Sequence, residues 1–114
     1  MLTYKNIIKY TSISNEDAVK GSQMSDSEKE QFVKSDLISG VYEGGLKVWE
    51  CTFDMVDYLE TTQMDGKSVI ELGCGQGLPG ILCAKKGASK VVLQDYNEHV
   101  IEKATKITAA ANLS

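Results

Sequence analysis

The chain has 114 residues, of which 12 are basic and 16 acidic, giving a formal net charge of −4. Because these charges are spread along the sequence, they do not form the basic surface that nucleic-acid binding requires. The amino terminus is too polar for a signal peptide, and no apolar run approaches the roughly 20 residues of a membrane span. We therefore expect a cytoplasmic or nuclear protein that binds neither nucleic acid nor membrane, with one domain at most.

The cysteine content excludes two further classes. Cys51, Cys74 and Cys83 are odd in number and show no CxxC spacing, and the sequence has one histidine, His99. Disulfide frameworks and zinc sites need more ligands at closer spacing. We therefore predict no disulfide framework and no metal site.

The first 47 residues carry weak patterns. The stretch LTYKNIIKYTSI is compatible with a strand, and SDSEKEQFVK with a short, solvated helix. We expect residues 1–47 to form a partly ordered amino-terminal extension, and residues 48–114 to form the domain proper.

From residue 48 the pattern becomes regular. Helical spacing of apolar residues predicts a helix over about 48–62, and the turn MDGK leads into SVIELG, which has the length of a buried strand. Pro79 suits the first turn of a helix over 78–86, and Gly87 suits its end. KVVLQD is a second strand.

The final stretch, YNEHVIEKATKITAAANL, predicts a helix that Asn97 caps. Its inward face is expected to carry Val100, Ile101, Ala104 and Ile107. Alternating helices and strands predict an α/β fold with parallel strands and right-handed crossovers. Ligands of such sheets bind beyond the carboxyl ends of the strands.

Glycines and an acid lie at that edge in the stretch VIELGCGQGLPG, residues 69–80. The glycines follow the first strand and open a helix, so we expect their N–H groups and the helix amino terminus to face a ligand. Asp95 ends the second strand, where an acid can bind both hydroxyls of a ribose, although Asp before a helix can also be a cap.

Two cofactor classes use this geometry. Gly75, Gly77 and Gly80 spell GxGxxG, which permits a dinucleotide, but this register leaves Gly73 unexplained. A carboxylate at Glu71 would repel a pyrophosphate and attract the ammonium and sulfonium of S-adenosylmethionine. We therefore favour S-adenosylmethionine as the cofactor.

The loop and the following acid resemble the corresponding motifs of the class I, seven-strand methyltransferases. The stretches SDLISGVYEGGLKVWECTFDMVDYL, GKSVIELGCGQGLPGI and VVLQDYN are similar to the histidine protein methyltransferases, over about residues 35–112. The resemblance implies methylation of one histidine of a large-subunit ribosomal protein. It also implies a partial Rossmann-like sheet: the first two parallel strands with flanking helices, without the carboxyl-terminal strands and most of the substrate pocket.

The resemblance also implies cofactor contacts but no catalytic residue. A segment before the first strand would lie over the cofactor, Glu71 would serve the methionine amino group, and the glycines would give it room; the end of the second strand would hold adenosine. The implied residues are Val48, Trp49, Glu50, Cys51, Thr52, Glu71, Gly73, Gly75, Gln94, Asp95 and Tyr96. Trp49 taken alone favours a core anchor, and only the motif around it makes a ligand contact equally compatible.

Several alternatives stay open at this point. The sequence also agrees with a lysine methyltransferase of the same superfamily, with a dinucleotide-binding fragment and with a non-catalytic remnant. It does not determine the oligomeric state. We expect the 114 residues alone to be inactive in methyl transfer, because half of the sheet and later cofactor contacts would be missing.

Overall fold

The computed structural model describes residues 1–10 and 46–113. The elements in chain order are β1 (Leu2–Tyr4), β2 (Ile8–Tyr10), α1 (Glu50–Glu60), β3 (Ser68–Glu71), α2 (Leu78–Lys85), β4 (Lys90–Leu93), α3 (Glu98–Val100), a π-helical segment (Ile101–Thr105) and α4 (Lys106–Leu113). The helix predicted in SDSEKEQFVK lies outside the described residues. Within the two described ranges, none of the helices combines the length and apolar character that crossing a membrane requires.

Strands β3 and β4 pair in parallel, with Val69 opposite Val91 and Glu71 opposite Leu93. The prediction of parallel strands joined by a helix is confirmed, because α2 connects the two. The partly buried residues of each strand alternate with exposed ones, as a sheet covered on one face requires. Both strands consequently end at the same edge, with Glu71 and residues 94–95 side by side.

Gly80 allows α2 to lie close to this sheet. A Cβ atom at this position would overlap the side chain of Leu93 and come within 3.1 Å of Glu71 Oε1 and 3.2 Å of Val91 Cγ1. A larger residue would require the Leu93 side chain to move or the helix to shift outward. The absence of a side chain at Gly80 therefore permits the close approach of the amino end of α2 to the strand ends.

Helix α1 covers residues 50–60, two residues shorter at each end than predicted. Val56 is fully buried in the core, with Phe53 and Leu59 packed partly against it. At the carboxyl end of α1, Lys86 Nζ donates hydrogen bonds of 2.6–2.7 Å to the carbonyl oxygens of residues 59, 60 and 62. This ammonium group adds a charged donor to the carbonyl oxygens at and just after the end of α1, where a positive charge is favourable.

The amino-terminal stretch forms an antiparallel hairpin, not the single strand that its composition suggested. Lys5 and Asn6 adopt positive φ angles of 51° and 59°, which turn the chain back on itself. Ile8 is 1% exposed in the core cluster, and the ring of Tyr4 lies 4.6 Å from that of Phe53. The described part of residues 1–47 is thus packed against the α/β unit.

The residues buried in the last helical stretch differ from those predicted, because the stretch contains a π-helical segment. Val100 and Ala104 are buried as expected, but Ile107 is 49% exposed and Thr108 is buried in its place. A π-helical turn inserts one residue into the helical repeat, so the inward stripe moves one position along the chain. Asn97 occupies the N-cap position, but its side chain makes no capping hydrogen bond.

We predict that Ile8→Ala destabilises the protein by about 2–5 kcal/mol, because it removes a fully buried side chain from the core. Leu2→Ala, in the same hairpin but 48% exposed, is the matched control and should change the free energy of unfolding by less than about 0.5 kcal/mol. Urea unfolding followed by circular dichroism measures both. A change of less than about 0.5 kcal/mol for Ile8→Ala as well would show that the hairpin is not part of the core.

Candidate functional site

The carboxyl ends of β3 and β4 border a cleft of about 340 Å³. The glycine loop, residues 73–77, forms one wall, and residues 47–52 at the start of α1 form the opposite wall. The sequence-predicted residues that line the cleft are Val48, Trp49, Cys51, Thr52, Glu71, Gly73, Gly75, Asp95 and Tyr96. The fold therefore brings nine predicted residues from three separate segments to one cavity.

Glu50 and Gln94, also predicted, are not part of the cleft lining. Glu50 is the exposed first residue of α1. Gln94 supports the loop from behind: its Oε1 accepts a hydrogen bond from the Gly73 N–H at 3.1 Å, and its backbone oxygen accepts one from Cys74 at 2.8 Å. Gln94 thus helps to hold the glycine loop in its conformation, and its contact with a ligand stays a prediction.

The N–H groups of the loop do not face the cleft as expected. They donate to acceptors of the protein itself: Gly73 to Gln94 Oε1 at 3.1 Å, Gly75 to Asp95 Oδ2 at 2.9 Å, Gly77 to Cys74 O at 2.8 Å and Gly80 to Glu71 Oε1 at 2.9 Å. The expectation that the N–H groups of the loop face a ligand is therefore wrong, because three side-chain oxygens and one backbone carbonyl of the protein accept these hydrogen bonds. A pyrophosphate, which needs such donors, would find few here.

Glu71 lies at the floor of the cleft and bonds the amino end of α2. Burial raises the pKa of its carboxyl to about 7; the hydrogen bond from Gly80 opposes this shift, and the nearby charge of Asp95 adds to it. A group with this pKa is partly protonated at neutral pH in the absence of a ligand. A cation in the cleft would favour its ionised form.

Asp95 has a structural role whether or not it binds a ligand. Its Oδ2 accepts the hydrogen bond from Gly75, and its Oδ1 accepts one of 3.2 Å from the backbone N–H of Asn97. An ionised carboxylate offers about four lone-pair positions, so two backbone donors leave room for hydroxyl groups. The structure therefore shows the capping contacts of Asp95, while its contact with a ribose stays a prediction.

Trp49 is placed in the cleft wall and is 39% exposed, which is not the position of a core anchor. The ammonium group of Lys47 lies 4.7 Å from the centre of the Trp49 ring. This cation–π contact places the positive charge of Lys47 beside Trp49 in the wall of the cleft.

Two buried polar residues at the site were missed in the sequence. Gln76 lies inside the loop, and Thr105, from the π-helical segment, donates a hydrogen bond of 2.6 Å to the carbonyl oxygen of Gly75. The one sequence feature that could have indicated a structural role for Gln76 is its position as a polar residue between two glycines. Nothing in the periodicity indicates Thr105, because the π-helical turn sets its direction.

Two thiols, those of Cys51 and Cys74, line the cleft. Burial raises the pKa of Cys74 to about 11, so its thiol is protonated at neutral pH. The glycine loop, the aromatic wall and the two acids thus lie together at the carboxyl edge of a small α/β unit with parallel strands.

Comparison with known proteins identifies the family. A family model described as lysine methyltransferase matches residues 27–113. The chain therefore belongs to this family of methyltransferases, and membership implies S-adenosylmethionine as the methyl donor. Its ammonium and sulfonium groups fit the acidic floor of the cleft.

Individual relatives give further names. The chain is 55% identical over 80 residues to a histidine protein methyltransferase 1 homolog of Bos taurus, a match covering 68% of this chain and 21% of the relative. Its counterpart in Dictyostelium discoideum is 53% identical over 81 residues, covering 69% and 26%. A histone-arginine methyltransferase of Mus musculus is 46% identical over 56 residues, covering 47% and 22%. The chain thus spans about a quarter or less of each relative.

We predict that affinity for S-adenosylhomocysteine, which keeps the ammonium group, rises with pH on the order of tenfold from pH 6 to pH 8. The sign follows from Glu71: the cationic ligand binds the ionised carboxylate, whose fraction increases as pH rises through its pKa of about 7 and then levels off. Calorimetric titration of the full gene product that carries residues 1–114 measures the affinity. Glu71→Gln is the isosteric control and should bind weakly at every pH. The same pH dependence in Glu71→Gln would contradict the assignment.

Proposed function

We propose that the cleft binds S-adenosylmethionine and that the protein transfers the methyl group to a histidine of a protein substrate. The observation that carries the proposal is the partly buried Glu71, which lines a cleft whose loop N–H groups are already bonded within the protein. This arrangement favours a cationic ligand over a phosphate. The names of the bovine and Dictyostelium relatives support histidine as the target.

In this proposal, Glu71 faces the amino group of the methionine moiety and Asp95 accepts hydrogen bonds from the ribose. Trp49 and Tyr96 line the same cleft and cover the adenosyl group from the side of α1 and from the end of β4. When bound, the cofactor supplies an electrophilic methyl group. The described residues bind and orient it and exclude water.

A histidine acceptor agrees with a site without an evident base. The neutral imidazole, with a pKa near ~6.5, is already a nucleophile at neutral pH. Methyl transfer to it depends on alignment more than on proton removal. A lysine must first lose a proton, and in this proposal both carboxylates of the cleft, Glu71 and Asp95, are already engaged by the cofactor.

We also propose that β3 and β4 are the first two strands of the sheet of a class I methyltransferase. The parallel pairing, the glycine loop after β3 and the acid after β4 support this assignment. A large-subunit ribosomal protein is the proposed substrate, which would place the reaction in the cytoplasm or nucleus. The description of the matching family favours one alternative, a lysine target.

The test is a methyl-transfer assay with radiolabelled S-adenosylmethionine, the full gene product and purified large-subunit ribosomal proteins. We expect label on one histidine, located by mass spectrometry. Asp95→Asn should reduce the labelling rate by about tenfold or more, because the charged acceptor for the ribose hydroxyls is lost. Glu98→Gln, an exposed acid three residues further on, is the control and should leave the rate unchanged.

The position of the label decides between the candidates. Label on lysine would establish the alternative. A protein that transfers no methyl group to any residue would contradict the proposed activity.

A further inference from the structure

Gln76 is buried at a place where loops are normally solvated. It is 3% exposed, although it lies between two glycines in the loop that borders the cleft. Gly75 and Gly77 have φ angles of 54° and 81°, which non-glycine residues rarely adopt. These two turns direct the Gln76 side chain into the protein and leave the loop backbone at the cleft.

The amide group of Gln76 connects three parts of the chain. Its Nε2 donates a hydrogen bond of 3.1 Å to the backbone oxygen of Leu46, ahead of α1. Its Oε1 accepts a hydrogen bond of 3.3 Å from Thr108 Oγ1 in α4. Leu46 and Thr108 are themselves 3% and 1% exposed. A side-chain amide meets both demands at once, because it carries a donor and an acceptor.

The segment that Gln76 holds is the opposite wall of the cleft. We call residues 46–52 the wall segment; it includes Val48, Trp49, Cys51 and Thr52, which line the cleft. The hydrogen bond from Gln76 to Leu46 therefore joins the two walls directly. Its length contributes to the width of the cavity between them.

The glycine loop is the fixed partner in this contact. Its backbone is bonded to the side chains of Gln94 and Asp95, and Thr105 Oγ1 donates to the carbonyl oxygen of Gly75. These bonds do not involve Gln76. Loss of the Gln76 amide is therefore expected to release the wall segment and leave the loop in place.

We propose that Gln76 is a positioning residue, which holds the wall segment at its distance from the glycine loop and so sets the width of the cleft for the adenosyl ligand. The proposal rests on the proposed cofactor, but the contact itself is present without it. Removing the amide leaves the buried carbonyl of Leu46 without this donor. Losses of this kind reduce binding that depends on the contact by about tenfold.

The principal test compares Gln76→Met with the parent protein, both as the full gene product. Methionine has a similar length but cannot bond Leu46 or Thr108. We expect amide hydrogen exchange in residues 46–52 to become about tenfold faster without ligand, with no change in β3 and β4. We also expect affinity for S-adenosylhomocysteine to fall about tenfold.

Thr108→Val is the matched control, because it removes the donor to Gln76 Oε1 and keeps the bond to Leu46. It should leave exchange in the wall segment and ligand affinity close to those of the parent. A general loss of core packing would instead affect both variants and all elements alike.

Gln76→Glu provides a second test that does not depend on Gln76→Met being well folded. A carboxylate cannot donate to the Leu46 oxygen, whereas a protonated carboxyl can. The affinity of this variant relative to the parent at the same pH should therefore rise towards one as pH falls. Comparison at each pH removes the separate effect of Glu71.

The outcomes distinguish the two proposals. Parental exchange in residues 46–52 of Gln76→Met, or a relative affinity of Gln76→Glu that does not change with pH, would overturn the role of Gln76. A parent protein that binds no S-adenosylhomocysteine would refute the proposed cofactor, while the exchange result would still decide whether Gln76 holds the wall segment.

Discussion

The parallel pairing of β3 with β4 is the constraint on which the site depends. It continues one step past the strands, where the N–H of Gln94 donates to the carbonyl oxygen of Glu71 at 3.0 Å. The pairing brings Glu71 and Asp95 to one edge from separate strands, and Gly80 lets α2 approach the same edge. The carboxylates then take the N–H groups of the glycine loop and helix end, which makes the cleft acidic. The acidic character of the cleft therefore follows from the register in which β3 pairs with β4.

Much of this arrangement could be predicted from the sequence. Helical spacing and short apolar runs predicted the elements of residues 48–113 within about two residues, because burial on one face requires those periods. The partners of the loop N–H groups could not be predicted, since they depend on long-range side-chain contacts such as that of Asp95 with Gly75. Exposure of Ile107 was also missed, because a single inserted π-helical turn changes the face without leaving a sequence signal.

The names of the related proteins bear on the role of the cleft. The description of the matching family names lysine as the methylated residue, while the names of similar relatives specify histidine or arginine. Proteins with different named targets thus share sequence with parts of this chain. A segment common to them is expected to serve the methyl donor, since the donor is what their reactions have in common. The acidic floor at Glu71 and the wall that Gln76 holds are consistent with that role.

The most direct test of the central claim is an NMR titration of the isotopically labelled full gene product with S-adenosylhomocysteine and, separately, with NAD. If the cleft is an S-adenosylmethionine site, the amide signals of residues 73–77 and 95–97 and the indole signal of Trp49 will shift with S-adenosylhomocysteine and not with NAD. Shifts of these signals with NAD alone, or S-adenosylhomocysteine shifts that lie outside the cleft, would contradict the account.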